Sequence, residues 1–346
     1  MTRIALATLI FGILAGTMTG AAQTTETQPQ TVNSGPALSP SAAEPVVTDT
    51  ASLPPVAPVS PVVCGDSVQS TDLKPLKTIG DNPDDPAAVW YDDALKRVYI
   101  KGLFCLERGV LEFVIVGDAG KTHESVIQAR SAPIDIAYAL LVCGFPYSVS
   151  FRSVLGDDGT EYRQFYGQAV DIFIEYAQDG VTKRKPARTF IENAKTNALM
   201  TDIPWIFTGS RYITDPGTGN RYFLANIERN IAAVFFDPAS LLNTPLNTGY
   251  DDTYYRIKED AIPPKGTPAL VIFQPSAWNA DPQRLNRFTK DELRDDGGST
   301  IVTEAESPFI DVDAPPAAPV KRQEVQRRTD DHELDQLMNE LEGQDD

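Results

Sequence analysis

Histidine is nearly missing from this chain, with only His123 and His332 among 346 residues. An acid–base mechanism that uses imidazole in the globular part must therefore run through His123. Cysteine is also scarce. Cys64, Cys105 and Cys143 stand far apart with no Cys-x-x-Cys spacing, which argues against zinc ribbons, iron–sulfur clusters and thioredoxin-like chemistry. There is no His-Glu-x-x-His, and one histidine with Glu112 and Glu124 is too small a set for a closed tetrahedral metal site. Asp157-Asp158-Gly159 lacks the twelve-residue ligand spacing of a calcium loop, so no metal and no cofactor is implied. Cations are outnumbered, 30 Lys and Arg against 48 Asp and Glu, for a net charge of −18. A nucleic-acid backbone would be repelled, and no basic face offsets that repulsion. Beyond the first residues no apolar run reaches the ~20 residues that a membrane span needs.

The first 22 residues have the layout of an export signal. Arg3 supplies the positive start, Ile4 to Gly16 an uncharged apolar run, and Gly20 and Ala22 the small residues before a cut at Gln23. This predicts an extracytoplasmic protein, periplasmic or secreted, with no transmembrane anchor after cleavage. In an oxidising compartment three cysteines allow at most one internal bridge. Cys105 and Cys143 are the candidate pair; two small buried thiols fit the sequence as well.

Residues 23–71 are rich in Pro, Thr, Ser and Ala and poor in aromatics, the composition of a disordered linker. Residues 276–328 read as a flexible acidic and Pro-rich tail. Residues 329–343 differ. Asp330 and Glu333 have capping-box spacing, Leu334, Leu337, Met338 and Leu341 form a helical stripe, and Gly343 suits the stop. A helix this short is marginal alone in water, where ~12–15 residues are needed. It calls for a groove, on this protein or another. Its acidic surround disfavours an anionic membrane.

Between these flanks, residues 72–275 carry the pattern of one folded domain. Strands are expected at Ala88 to Tyr91, Arg97 to Lys101, Val110 to Val116, Lys121 to Ile127, Val170 to Tyr176, Trp205 to Thr208, Thr253 to Ile257 and Ala269 to Phe273. Tyr222 to Ile227 and Asn230 to Phe236 read as a hairpin, residues 145–168 as a long connection, and Asp237-Pro238-Ala239 as the start of a short helix. One clear helix starts at Ser131-Ala132-Pro133 and stops at Gly144. In it Ile134, Tyr138 and Leu141 line one stripe, and Ile136, Leu140 and Cys143 an adjoining one. The expected class is α+β: a single, mostly antiparallel β domain with one main helix, flanked by disordered Pro-rich segments.

Chemistry concentrates at Lys121-Thr122-His123-Glu124-Ser125, where ammonium, imidazole, carboxylate and hydroxyl lie side by side. Read as a strand, it puts Lys121, His123 and Ser125 on one face and Glu124 on the other. Glu112 interrupts the apolar run of the preceding strand and needs a partner if buried. His123, Glu112, Lys121 and Ser125 are the catalytic candidates. Glu124, Ser210 and Arg211 are candidate binding residues, Arg211 as a possible partner of Glu112. Ser210 is not a nucleophile elbow, because Phe207 and Arg211 occupy the outer glycine positions of Gly-x-Ser-x-Gly.

Several of these runs resemble the YdjY-type domain. They are Gly109-Val110-Leu111-Glu112-Phe113, Lys121-Thr122-His123-Glu124-Ser125-Val126, Ala139-Leu140-Leu141 with Gly144, Trp205 to Arg211, and Ala261-Ile262-Pro263-Pro264-Lys265-Gly266-Thr267. The resemblance runs from about Ala88 to Phe273. It implies an exported bacterial domain with no established activity, and so bears on location and domain limits rather than mechanism. Three readings follow. The first is a non-catalytic domain that binds a protein or envelope component, with the C-terminal helix as a docking element. The second is a hydrolase-type enzyme with His123 as base. The third is thiol–disulfide chemistry at Cys105 and Cys143.

Overall fold

The structure is a computed structural model that describes residues 62–80, 82–248, 251–281, 284–295 and 309–312. Short strands dominate. In chain order they are β1 (Lys77–Ile79), β2 (Val89–Asp92), β3 (Arg97–Phe104), β4 (Val110–Leu111), β5 (Phe113–Val116), β6 (Ser125–Ala129), β7 (Ser150–Leu155), β8 (Glu161–Phe165), β9 (Ala169–Gln178) and β10 (Val181–Pro186). There follow β11 (Ile191–Asn193), β12 (Trp205–Phe207), β13 (Tyr212–Thr214), β14 (Arg221–Phe223), β15 (Asn230–Ala233), β16 (Leu242–Asn243), β17 (Tyr255–Ile257), β18 (Pro268–Pro275), β19 (Arg287–Thr289) and β20 (Ile310–Asp311). Two α-helices interrupt them, α1 (Pro133–Val142) and α2 (Leu224–Glu228).

The central sheet closes on itself. The order β3-β18-β9-β12-β16-β15-β5-β6 returns to β3 through a β3–β6 pairing, an eight-stranded barrel. Strand β3 makes the seam. Its first half, Arg97 to Ile100, pairs with β2, and its last residues, Gly102 to Phe104, pair on to Ala129 through Ile127 of β6. Gly102 sits where β3 changes partner. A Cβ there would stand 2.6 Å from the Ile127 side chain and 2.8 Å from the Gln128 carbonyl, so only glycine lets the two backbones approach this closely. Closure removes the free edges of these eight strands, while β1–β2 and β10 branch off β3 and β9. Most pairings are antiparallel, but β5–β6 and β15–β16 are parallel.

The interior is filled by aromatic and branched side chains. Phe104 stands edge-on to Tyr176 and Phe190, each with ring centroids 5.4 Å away, and is fully buried. Such pairs add to the transfer of their area from water. Helix α1 packs on β2, β3 and α2 and buries Ile136, Ala139, Leu140 and Cys143. Its cap differs from the sequence expectation: Ala132 is the N-cap, and the buried Ser131 hydroxyl donates to the Ala88 carbonyl.

The expected α+β class with one main helix is therefore corrected to a mostly β fold with, among the described residues, two α-helices and a closed barrel. Alternating strands and a helix were legible, but closure depends on the β3–β6 contact and the two parallel pairings, which leave no trace in local periodicity. Three further segments differ. Residues 145–168 hold the β7–β8 hairpin, in register from Phe151↔Phe165 to Leu155↔Glu161. The expected 222–236 hairpin is instead β14, α2 and β15, with Arg229 in the left-handed region (φ 61°) at the end of α2. Asp237 opens a turn, not a helix, although its Oδ1 accepts the Ala239 amide at 2.9 Å.

Two flanking stretches read as loose are packed against the domain. Gly65 bridges to Arg184, and the Thr71 amide and hydroxyl both donate to Glu175, at 2.9 Å each. Beyond residue 275, β19 pairs with β8 and buries Phe288 against Phe165 and Trp278. The export signal, residues 23–61 and the 329–343 stripe lie outside the described residues.

Candidate functional site

The Lys121 to Ser125 stretch is a tight turn, not the start of a strand. Gly117 to Gly120 reverse the chain, with Ala119 at φ 64°. Thr122–Glu124 then form a single 3₁₀ turn, and Ser125 enters β6. The Thr122 amide donates to the Gly120 carbonyl at 2.8 Å, and the Glu124 amide to that of Lys121 at 3.2 Å. Because the backbone is helical here, the alternation of faces expected for a strand does not apply, and the four catalytic candidates do not converge.

Ser125 is fully buried, and its hydroxyl donates to the Lys121 carbonyl at 2.6 Å, closing the turn. His123 points the other way, with a side chain 75% exposed and Nε2 3.4 Å from Glu124 Oε1. A hydroxyl bonded to its own main chain and an imidazole out in solvent make no nucleophile–base pair. Among the described residues no group of three or more His, Cys, Asp or Glu side chains is placed to hold a metal ion.

Glu112 does find the partner that its position demands. It lies in the break between β4 and β5, where its amide donates to the Glu124 carbonyl and its carbonyl accepts from Val234. Its carboxylate meets the Lys121 ammonium at 2.9 Å. Arg211, the alternative partner, is exposed on the surface before β13. An ion pair alone would hold Glu112 low. Burial dominates instead, helped by the adjacent Glu124 carboxylate, and lifts Glu112 above its ordinary value of 4.5. Lys121, facing Glu112, Glu124 and Asp237, is lifted too, since their charges outweigh its own burial.

The consequence for stability has a definite sign. The folded chain holds the Glu112 proton to higher pH than the unfolded chain does. That contribution is complete below 4.5 and disappears as pH rises through the lifted folded value. Glu112→Gln is therefore expected to flatten this part of the stability–pH curve, as followed by urea unfolding from pH 3.5 upward. A curve for the variant parallel to wild type would show that Glu112 does not titrate abnormally.

Ser210 is likewise structural. It sits at φ 59°, donates to the Ala239 carbonyl at 2.6 Å and accepts the Ala225 amide at 3.1 Å, tying α2 to the loop before β16. Next to it Gly209 (φ 81°) lies under the Tyr147 ring, where a Cβ would come within 2.3 Å. Behind this loop runs a polar network that sequence reading missed. Asp237 accepts from Asn230 and Ser240, and Asn243 bonds Thr208 at 2.8 Å and the Asp237 main chain. Its members are short polar residues at strand ends and in turns, with no spacing to mark them.

Cys105 and Cys143 are not joined. Both are free and buried, Cys105 donating to the Ser125 carbonyl at 3.1 Å and Cys143 lying near the Asp92 and Arg97 carbonyls. Burial pushes each thiol up to about 12, which leaves almost no thiolate at neutral pH. Thiol titration without reductant should count three thiols per unfolded chain, with only the exposed Cys64 reacting promptly in the folded one. A count of one would restore the Cys105–Cys143 bridge.

The surface feature that stands out is the outer side of α1. Ile134, Tyr138, Leu141 and Val142 are 39–57% exposed on this 10-residue helix. The stripe that the sequence pairs with Ile136 and Leu140 thus faces solvent while its neighbour faces the core. The apolar surface continues across α2, where Asn226 accepts the Ile134 amide and Ile227 is exposed. Tyr212 and Tyr222 of the β13–β14 hairpin and Tyr147, after the end of α1, are exposed as well. Single exposed apolar residues are ordinary, but adjoining ones on neighbouring elements mark an interaction surface. The sequence signal was present in the two apolar stripes of α1, since a helix on the outside of a sheet can bury only one.

No curated protein and no solved structure matches the chain. The family model of the YdjY domain matches residues 89–274, a stretch that runs from β2 to the end of β18 and takes in the Lys121–Ser125 turn, α1 and the whole barrel. With more than half of its 346 residues matched, the chain belongs to the YdjY domain family.

Proposed function

We propose that this protein is an exported, non-catalytic binding domain that engages a protein or envelope component through the apolar face of α1. The observation that carries the reading is the exposure of Ile134, Tyr138 and Leu141 on a helix whose other side is fully buried. Helix-in-groove recognition uses anchors at this i, i+4, i+7 spacing. The exposed Tyr138 on this face suits it further, because tyrosine is enriched where binding energy concentrates. Export rests on the composition of residues 1–22.

The hydrolase reading at His123 has less support, because the imidazole is exposed beside Glu124 while the Ser125 hydroxyl is turned to its own main chain. The redox reading at Cys105 and Cys143 has less still, given two separate thiols held protonated.

The test is quantitative affinity purification of the full chain from its native host. Tyr138→Asp and Leu141→Asp should lose the co-purifying set that wild type retains, whereas His123→Ala should keep it. Circular dichroism should show all three folded. Identical sets from wild type and both face variants would contradict the reading, and loss with His123→Ala alone would favour the second one.

A further inference from the structure

We propose that residues 330–343 of the same chain lie on the α1 face, so that the protein carries its own occupant for that surface. The inference rests on the binding reading above and adds how that site is regulated.

Three observations support it. The first is where the described chain ends. The β20 strand runs parallel to β7, with Ile310 opposite Ser150, and the Val312 amide donates to Phe151 at 3.0 Å. Phe151 follows the end of α1 by nine residues, so the described chain stops on the strand that comes next after that helix. From Val312 to Leu334 is 334 − 312 = 22 residues, a reach of roughly 70 Å when extended, which covers the domain surface easily.

The second is shape. Leu334, Leu337, Met338 and Leu341 repeat at i, i+3, i+4 and i+7. Ile134, Tyr138 and Leu141 on α1 also span seven residues. Two helical stripes of two turns each, ~10 Å long, match end to end. Alone the tail helix is marginal and the α1 face is wet; together each removes the other's apolar surface from water.

The third is charge. Residues 330–343 hold six acidic residues and no Lys or Arg. Along the hairpin side of the face stand exposed Arg211 and Arg221, the latter 4.9 Å above the Tyr212 ring. Asp135 lies in the first turn of α1 and Glu228 at the end of α2, so the two arginines favour the hairpin side for the acidic segment; Asp215, in the hairpin turn, is bonded to the Gly217 amide and the Thr218 hydroxyl. A tether of this length holds the tail at an effective concentration near the millimolar range, so a partner must outcompete it.

The experiment places a benzophenone photo-crosslinker at Met338 in the full chain, using mixed ¹⁴N and ¹⁵N protein. Adducts are expected to residues 133–147 and 211–228, within single-isotope chains, and Leu334→Asp with Leu341→Asp should cut their yield at least fivefold. Absent or scattered adducts would overturn the proposal. Mixed-isotope adducts would overturn it too, because the occupant would then be a second copy. If these fail while Tyr138→Asp still strips the co-purifying set, the binding reading stands without the tail; if both fail, neither stands.

Discussion

Phe104→Ala is expected to destabilise the domain by about 3–5 kcal/mol, the range for deleting a buried phenyl ring. Phe104 has no exposed surface and is in contact with rings from two other elements, Tyr176 of β9 and Phe190 just before β11. It also lies on the seam, opposite Ile127 of β6. The cavity would open where the barrel closes, and the neighbouring aromatic rings have little freedom to collapse into it. Urea unfolding followed by tryptophan fluorescence reads the loss. A cost under about 1 kcal/mol would mean that the β3–β6 closure does not enclose this ring.

Arg184→Ala should cost a similar amount, about 3–5 kcal/mol, for a different reason. The side chains of Glu175 and Arg184 are only 7% and 12% exposed, and Arg184 Nε donates to Glu175 Oε2 at 3.0 Å. The same guanidinium donates to the Val63 and Gln69 carbonyls and to Thr71 Oγ1. Removing it strands a buried carboxylate and releases the segment ahead of β1. Amide exchange of residues 63–71 should therefore quicken by orders of magnitude, beyond what the global loss explains. Arg184→Lys should rescue only part, since an ammonium cannot reach several acceptors in one plane. Unchanged exchange at 63–71 would show that this clamp is not what holds the segment.

That clamp shows what sequence reading reaches and what it does not. The composition of residues 62–71 is that of a linker, and bonds to Glu175, Thr182 and Arg184, more than a hundred positions away, make it part of the fold. The strands with clear alternation were legible: Val170 to Tyr176 became β9, and Ala269 to Phe273 became the middle of β18. So was α1, from its proline and its closing glycine. The β7–β8 hairpin was not, because about half of Ser150 to Leu155 and Glu161 to Phe165 is polar, which hides the alternation of a strand. Barrel closure was not either, because a glycine such as Gly102 looks the same in a loop as at a seam.

At the site, the notable residues were found and their geometry was not. Lys121 to Ser125 drew attention because four kinds of polar group adjoin, yet the turn sends His123 outward and Ser125 inward. Their chemistry closes a corner of the barrel through Glu112 and Lys121. The apolar stripe on α1 was read from its spacing, but the direction it faces depends on which stripe β2 and β3 cover, and that is a tertiary fact.

The central claim is that this outer stripe is where the protein meets its partner. A photo-crosslinker at position 138, expressed in the native host, tests it most directly against one at Leu155, a still more exposed apolar residue on β7. Discrete adducts to a second protein from position 138 and none from 155 are predicted. Equal, diffuse labelling from both positions would contradict it.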